Sequence, residues 1–164
     1  MRSHFPKILL QLSGIFLALP LGAQALRVYA VPDISGREGS FTLELASPSG
    51  KEPAALQWDF SVPDGLLIDV DGAAAGKAAQ NARKGIQCRM QVNLPGEKNR
   101  LFRCLLIGGV DRIHNGPVAI LKYSARPETK AGKYGIDVVR AFAVSRDAKK
   151  ATLPDVSAGI EILK

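Results

Sequence analysis

From about residue 26 onward, apolar and polar residues alternate with a period of two through most of the chain. The clearest run is Ile86-Gln87-Cys88-Arg89-Met90-Gln91-Val92-Asn93-Leu94, which alternates without an error. Successive side chains of an extended strand point to opposite faces. The run therefore predicts a strand with Ile86, Cys88, Met90, Val92 and Leu94 toward a core and Gln87, Arg89, Gln91 and Asn93 away from it. Pro95 to Asn99 predicts a turn, after which residues 100–107 return as a second strand with Phe102, Cys104 and Leu106 on the core side.

The same reading gives strands over 27–31, 40–46 with Phe41, Leu43 and Leu45 inward, 54–62 with Leu56, Trp58 and Phe60 inward, and 66–70. It continues with 118–125, with Ala119, Leu121 and Tyr123 inward, then 135–144 and 158–163. Alternation slips at Val139-Arg140, which predicts a bulge. Nine short strands separated by Gly, Pro, Asp and Asn turns predict an all-β, antiparallel β-sandwich. Residues 71–85 are the exception, rich in Ala and basic side chains and lacking any stripe of large apolar residues. They read as one or two exposed helical turns or, because of their glycines, as a mobile loop. Such a basic run is either a solvated loop or a contact for acidic polymers.

The start of the chain follows a different pattern. Arg2 and Lys7 charge it, residues 8–21 are apolar, and Ala23-Gln24-Ala25 supplies small residues for cleavage, which together predict a secretory signal peptide over residues 1–25. The apolar stretch is broken by Gln11, Ser13, Gly14 and Pro20, and falls short of the roughly 20 residues a bilayer span needs. Cleavage after Ala25 leaves one domain, residues 26–164, with no membrane span, placed in the secreted, cell-surface or periplasmic space. Both cysteines, Cys88 and Cys104, lie in this exported part, where disulfides persist, and both face the core side of one hairpin. They are expected to pair, closing a loop of about 15 residues for around 3 kcal/mol.

Composition narrows the chemistry. With 46% hydrophobic and 23% charged residues the chain suits one globular domain. Its 22 Lys+Arg against 15 Asp+Glu give +7, which falls to +5 once Arg2 and Lys7 are removed. No nucleophile motif, metalloprotease helix, phosphate loop or nucleic-acid module is present, which predicts no catalysis, no cofactor, no metal and no nucleic-acid partner. Asp69-Val70-Asp71-Gly72 begins like a calcium loop but lacks the later oxygen ligands, so it reads as a turn. Glycoside cleavage by Asp59, Asp64 and Asp69 would need a separation that nothing in the sequence fixes. His114 reads as a surface turn residue. Sugar binding favours a row of exposed rings, and only Tyr29 and Tyr134 are candidates for exposure, since the other aromatics fall mainly on inward positions.

Three stretches carry a family resemblance. Residues 54–66, AALQWDFSVPDGL, resemble the alternating third strand and Asp/Pro turn of cohesin domains. Residues 115–123, NGPVAILKY, resemble the family's Gly-led strand ending in an aromatic, and residues 131–138, AGKYGIDV, the opening of a later strand. Gly159-Ile160-Glu161-Ile162 fits the final strand, and the order holds over nearly the whole exported part. The cysteine pair departs from the family pattern. The resemblance implies a nine-stranded jelly-roll sandwich, a fold that cohesins share with one broad group of carbohydrate-binding modules. It also implies binding rather than catalysis: one sheet face of a cohesin receives a dockerin. The partner is accordingly expected to be a dockerin-like or other surface protein or, alternatively, an extracellular polysaccharide.

The outward positions supply the candidate partner-binding face: Gln57, Asp59, Gln87, Arg89, Gln91 and Arg103. As exposed residues, Arg89 and Arg103 are expected to tolerate exchange for Glu with the melting temperature nearly unchanged, while partner capture is lost.

Overall fold

The computed structural model describes residues 23–92 and 98–163. Most of the signal-peptide reading, together with Leu94 and most of the turn expected over 95–99, lies outside the described residues. In chain order the strands are β1 (Ala25–Pro32), β2 (Glu38–Ala46), β3 (Ala55–Val62), β4 (Leu66–Ile68) and β5 (Ala74–Ala75). One short helix, α1 (Lys77–Asn81), precedes β6 (Gly85–Met90), β7 (Arg100–Ile107), β8 (Gly116–Ala125), β9 (Gly132–Val144), β10 (Lys150–Thr152) and β11 (Val156–Ile162).

The strands form two antiparallel sheets. The first runs β1-β2-β8-β4, with β5 also on β8, and the second runs β10-β9-β3-β7-β6, with β11 also on β9. Period-two alternation explains both. Phe41, Leu43, Leu45, Leu121 and Tyr123 of the first sheet are buried against Leu56, Trp58, Phe60, Phe102, Cys104 and Leu106 of the second. Within this core the rings of Phe41 and Tyr123 lie 4.8 Å apart, and Trp58 meets Phe60 edge-on at 6.2 Å. The anticipated slip in β9 is present. Gln57 pairs with Phe142 but Asp59 with Val139, and Arg140 sits there at φ 52°. Before the bulge Ile136 and Val138 point inward; after it Ala141 and Ala143 do.

Three expectations are corrected. Eleven strands are present among the described residues, because β5 and β10 pair onto existing strands without an alternating pattern of their own; every residue of β10 is exposed. The long alternating run ends as a strand at Met90, and Met90 and Val92 are 64% and 94% exposed rather than in the core. The opposing sheet ends on that side in β4 and β5, only three and two residues long, too short to cover them.

Residues 71–85, thirdly, are neither a mobile loop nor a purely solvated helix. Ala78, Ala79 and Ala82 are buried in the core, where a small side chain is what lets the helix approach β8. The approach is closest at Gly76, where a Cβ would lie 2.4 Å from the Pro117 carbonyl oxygen. The basic residues that follow are tethered. Arg83 pairs with Asp111 at 2.6 Å, and Lys84 is buried with its Nζ donating to the Gly109 carbonyl at 3.0 Å. Burial pushes the Lys84 ammonium below its usual pKa.

The β9–β10 turn gives a pH prediction. The Ser145 hydroxyl, then Lys149, hold the Asp147 carboxyl down to about 2. A folded-state pKa below the unfolded value of about 3.9 stabilises the turn above that pH, and the contribution is lost as pH falls through about 2. The carboxyl carbon of Asp147 is expected to titrate near pH 2 by NMR, and Ser145→Ala to raise that midpoint.

Candidate functional site

The outer face of the second sheet is built from rows that cross its strands. In the central row Arg89 of β6 lies opposite Arg103 of β7, Arg103 opposite Asp59 of β3, and Asp59 opposite Val139 of β9. On one side run Gln87, Leu105, Gln57, Phe142 and Thr152. On the other run Leu101, Ser61, Asp137 and Ser157, with the Gln91 N–H donating to the Leu101 carbonyl at 2.8 Å. Alternation thus brings all six sequence-designated residues onto one face. Gln87, Arg89, Gln91 and Arg103, with Leu105, line a shallow depression of about 250 Å³.

Asp59 is placed on the expected side but not at the expected depth: it is fully buried. Arg103 forks onto it, Nε to Oδ1 at 2.8 Å and Nη2 to Oδ2 at 2.9 Å, while the Arg140 Nε reaches Oδ2 at 2.8 Å. The hydrogen bonds that Arg103 donates to Asp59 raise its pKa still further above neutrality. Two cations on one carboxylate solve a local problem. Arg89 and Arg103 are directly opposed like charges, which ordinarily destabilises a strand pair, and Asp59 neutralises one of them. The expectation that Arg103→Glu leaves stability nearly unchanged is therefore revised, because that carboxylate would face the buried one of Asp59. Arg89 carries no such bond and remains an exposed, exchangeable position.

The sequence reading missed Arg140, Phe142, Lys150 and Thr152, which with Gln57 and Ala141 line a second depression of about 260 Å³. The signal was present in the bulge. An extra residue in β9 places Val139 and Arg140 together on the outer side, and the left-handed backbone at Arg140 turns its guanidinium over Asp59. The Phe142 ring is also outward and half-buried, covered by the Lys150 ammonium 3.8 Å from its centroid.

The hairpin that carries Gln87, Arg89 and Arg103 is cross-linked. Cys88 and Cys104 are register partners in β6 and β7, Cα atoms 4.1 Å apart, and form a disulfide. Cys104 is buried and Cys88 half-buried on the inner side, so the bond fixes the two strands from beneath the face.

The other candidates lie apart from this face. The Asp69 Oδ1 accepts the Gly72 N–H at 2.8 Å, closing the expected turn, and Asp64 stands 3.9 Å from Arg100. Among the described residues no group of His, Cys, Asp and Glu can hold a metal ion, and no helix is long and apolar enough to cross a membrane. His114 is exposed. Tyr29 is 40% exposed on the first sheet with its hydroxyl donating to Glu44; Tyr134, expected to be exposed, is half-buried against the core and donates to the Lys130 carbonyl.

No family model matches the sequence, and no curated protein matches it. Solved structures do. Over 87% of its length the chain matches 98% of a cohesin module from a Clostridium perfringens family 33 glycoside hydrolase, at a TM-score of 0.65 and 8% identity. Over 85% it matches 92% of a non-cellulosomal cohesin from the hyperthermophilic archaeon Archaeoglobus fulgidus, at 0.58 and 12%. A type I cohesin–dockerin complex from Clostridium thermocellum matches over 84% of this chain and 98% of that one, at 0.62 and 15%. Identities this low establish the fold alone, and the fold is a cohesin-like β-sandwich.

Proposed function

We propose that this chain is an exported, non-catalytic binding module that docks a dockerin-like or other surface protein on the outer face of β6, β7, β3 and β9. The observation that carries the reading is the construction of that face. It is a broad polar sheet surface whose central row is locked by a buried carboxylate and whose edge hairpin is tied by a disulfide. A surface already ordered before binding loses little entropy on docking. Two further supports are the cohesin-like fold and the occurrence, among its structural neighbours, of a cohesin in complex with a dockerin. Export is supported by the charged, apolar and small-residue succession of residues 1–25 and by the disulfide.

The alternative partner, a polysaccharide, finds little to stack on. Trp58 is in the core, Phe142 is capped by Lys150, and Tyr29 stands on the opposite sheet with its hydroxyl engaged.

The test uses Gln87→Glu with Arg89→Glu, both exposed on β6 and neither touching Asp59. Surface proteins of the source organism are captured on wild-type protein, on this variant and on Lys122→Glu, which changes the other sheet's outer face. The β6 variant is expected to lose capture while Lys122→Glu keeps it, and the β6 variant's stability is expected to change by no more than about 0.5 kcal/mol. Equal capture by all three would move the site off this face. Binding on a parallel glycan array with no protein captured would favour the polysaccharide.

A further inference from the structure

We propose that the partner docked on this face presents carboxylates, and that Arg103 and Arg140 receive them as a pair held in place by Asp59. The proposal rests on the docking reading above and adds the chemistry of the partner.

Three observations combine. First, the central row and its neighbours expose the cations Arg89, Arg103, Arg140 and Lys150. The carboxylate among them, Asp59, is fully buried and already shared by two guanidiniums. At the margin Asp137 accepts from the Ser157 hydroxyl at 2.6 Å and Asp155 from the Arg140 backbone N–H at 3.2 Å. The centre of the face is therefore electropositive, and an acidic surface is its complement.

Second, the guanidiniums keep donors in reserve. Arg103 donates to Asp59 from Nε and Nη2, while Arg140 makes an ion pair with it, Nε 2.8 Å from Oδ2. The Nη1 group of Arg103 and both Nη groups of Arg140 have no partner among the described residues, and the two side chains are 37% and 49% exposed. A planar fork of N–H groups matches a carboxylate, where a lysine would offer only a point charge.

Third, both forks are held before a ligand arrives. A free surface arginine loses considerable rotamer freedom when it binds; one already paired with a buried carboxylate has lost much of it. Arg140 reaches Asp59 from the left-handed backbone of the β9 bulge, a conformation unfavourable for a non-glycine residue. Asp59 is thus a positioning residue, and Arg103 and Arg140 are the contacts.

The test titrates a blocked hexaglutamate peptide into the full protein at low ionic strength, with hexalysine and a hexagalacturonate as comparators. Hexaglutamate is expected to bind more tightly than hexagalacturonate, which shares its carboxylates but has no exposed ring to stack on, and hexalysine is expected not to bind. Arg103→Gln with Arg140→Gln should weaken hexaglutamate binding by about tenfold or more, whereas Arg27→Gln with Lys122→Gln, the same charge loss on the other sheet, should not.

Asp59→Asn separates position from charge. It makes the face more positive, so a surface reading net charge alone would bind hexaglutamate more tightly; positioned arginines lose their anchor and bind it more weakly. Arg140→Lys, which keeps the charge and loses the fork, is likewise expected to weaken binding, and it decides the matter if Asp59→Asn is unfolded by circular dichroism at the assay temperature. Unchanged or tighter binding by folded Asp59→Asn, or by Arg140→Lys, overturns the positioning role. A preference for hexalysine or hexagalacturonate overturns the acidic protein partner. Partner capture lost in the β6 variant alongside no affinity for hexaglutamate overturns this inference and leaves the docking reading intact.

Discussion

Trp58→Ala is expected to remove about 3–5 kcal/mol of stability, read as a lower urea midpoint by circular dichroism. Trp58 is fully buried at the middle of β3, and the large void left by its loss would open between the two sheets. Its indole Nε1 has no hydrogen-bond partner, so the loss is one of packing, including the edge-on contact with Phe60, and no polar interaction is forfeited. Trp58→Phe should cost much less, since it retains an aromatic ring and removes the unpaired N–H. The residue also backs the outer face proposed for docking. Gln57 and Asp59 flank it on β3 and point to the other side, so a strand loosened at Trp58 loosens the anchor for Arg103 and Arg140.

The second large effect belongs to the disulfide. Replacing both Cys88 and Cys104 by Ala is expected to destabilise by about 3 kcal/mol, because a cross-link spanning 16 residues restricts the unfolded chain. For a domain of this size that corresponds to a melting temperature lower by roughly 10 °C. Reduction of the wild-type protein should reproduce the shift, and nonreducing mass analysis should find Cys88 joined to Cys104. Two alkylatable thiols in the native protein would contradict both expectations.

Much of this architecture was legible because alternation reports the side on which a residue lies. It placed Phe41, Trp58, Phe102 and Leu121 in the core, put Gln87, Arg89 and Arg103 on one outer face, and flagged the β9 bulge through its lapse at Val139-Arg140. What alternation does not report is how far the opposite layer extends. Met90 and Val92 continue the inward series of β6, yet among the described residues no strand of sufficient length covers them. Nor does it report depth: Asp59 is on the outer side and still buried, because two long arginines from neighbouring strands close over it. Arg140 was hidden for a related reason, since a bulge signals an extra residue without saying where its side chain will go. The alanines of α1 were misread because small side chains form no apolar stripe, although smallness is what permits the helix to approach β8.

The cross-strand disulfide also separates the integrity of the proposed docking face from that of the polypeptide. Lys98 is exposed between β6 and β7, which makes it a candidate site for a protease specific for basic residues. Such a nick falls inside the covalent loop closed by Cys88 and Cys104. The two fragments stay attached, and the ladder from Gly85 opposite Ile107 to Met90 opposite Phe102 holds Arg89 beside Arg103 as before. A protein clipped there in a protease-rich environment would migrate as a single species until reduced, and would carry the same binding surface in two-chain form.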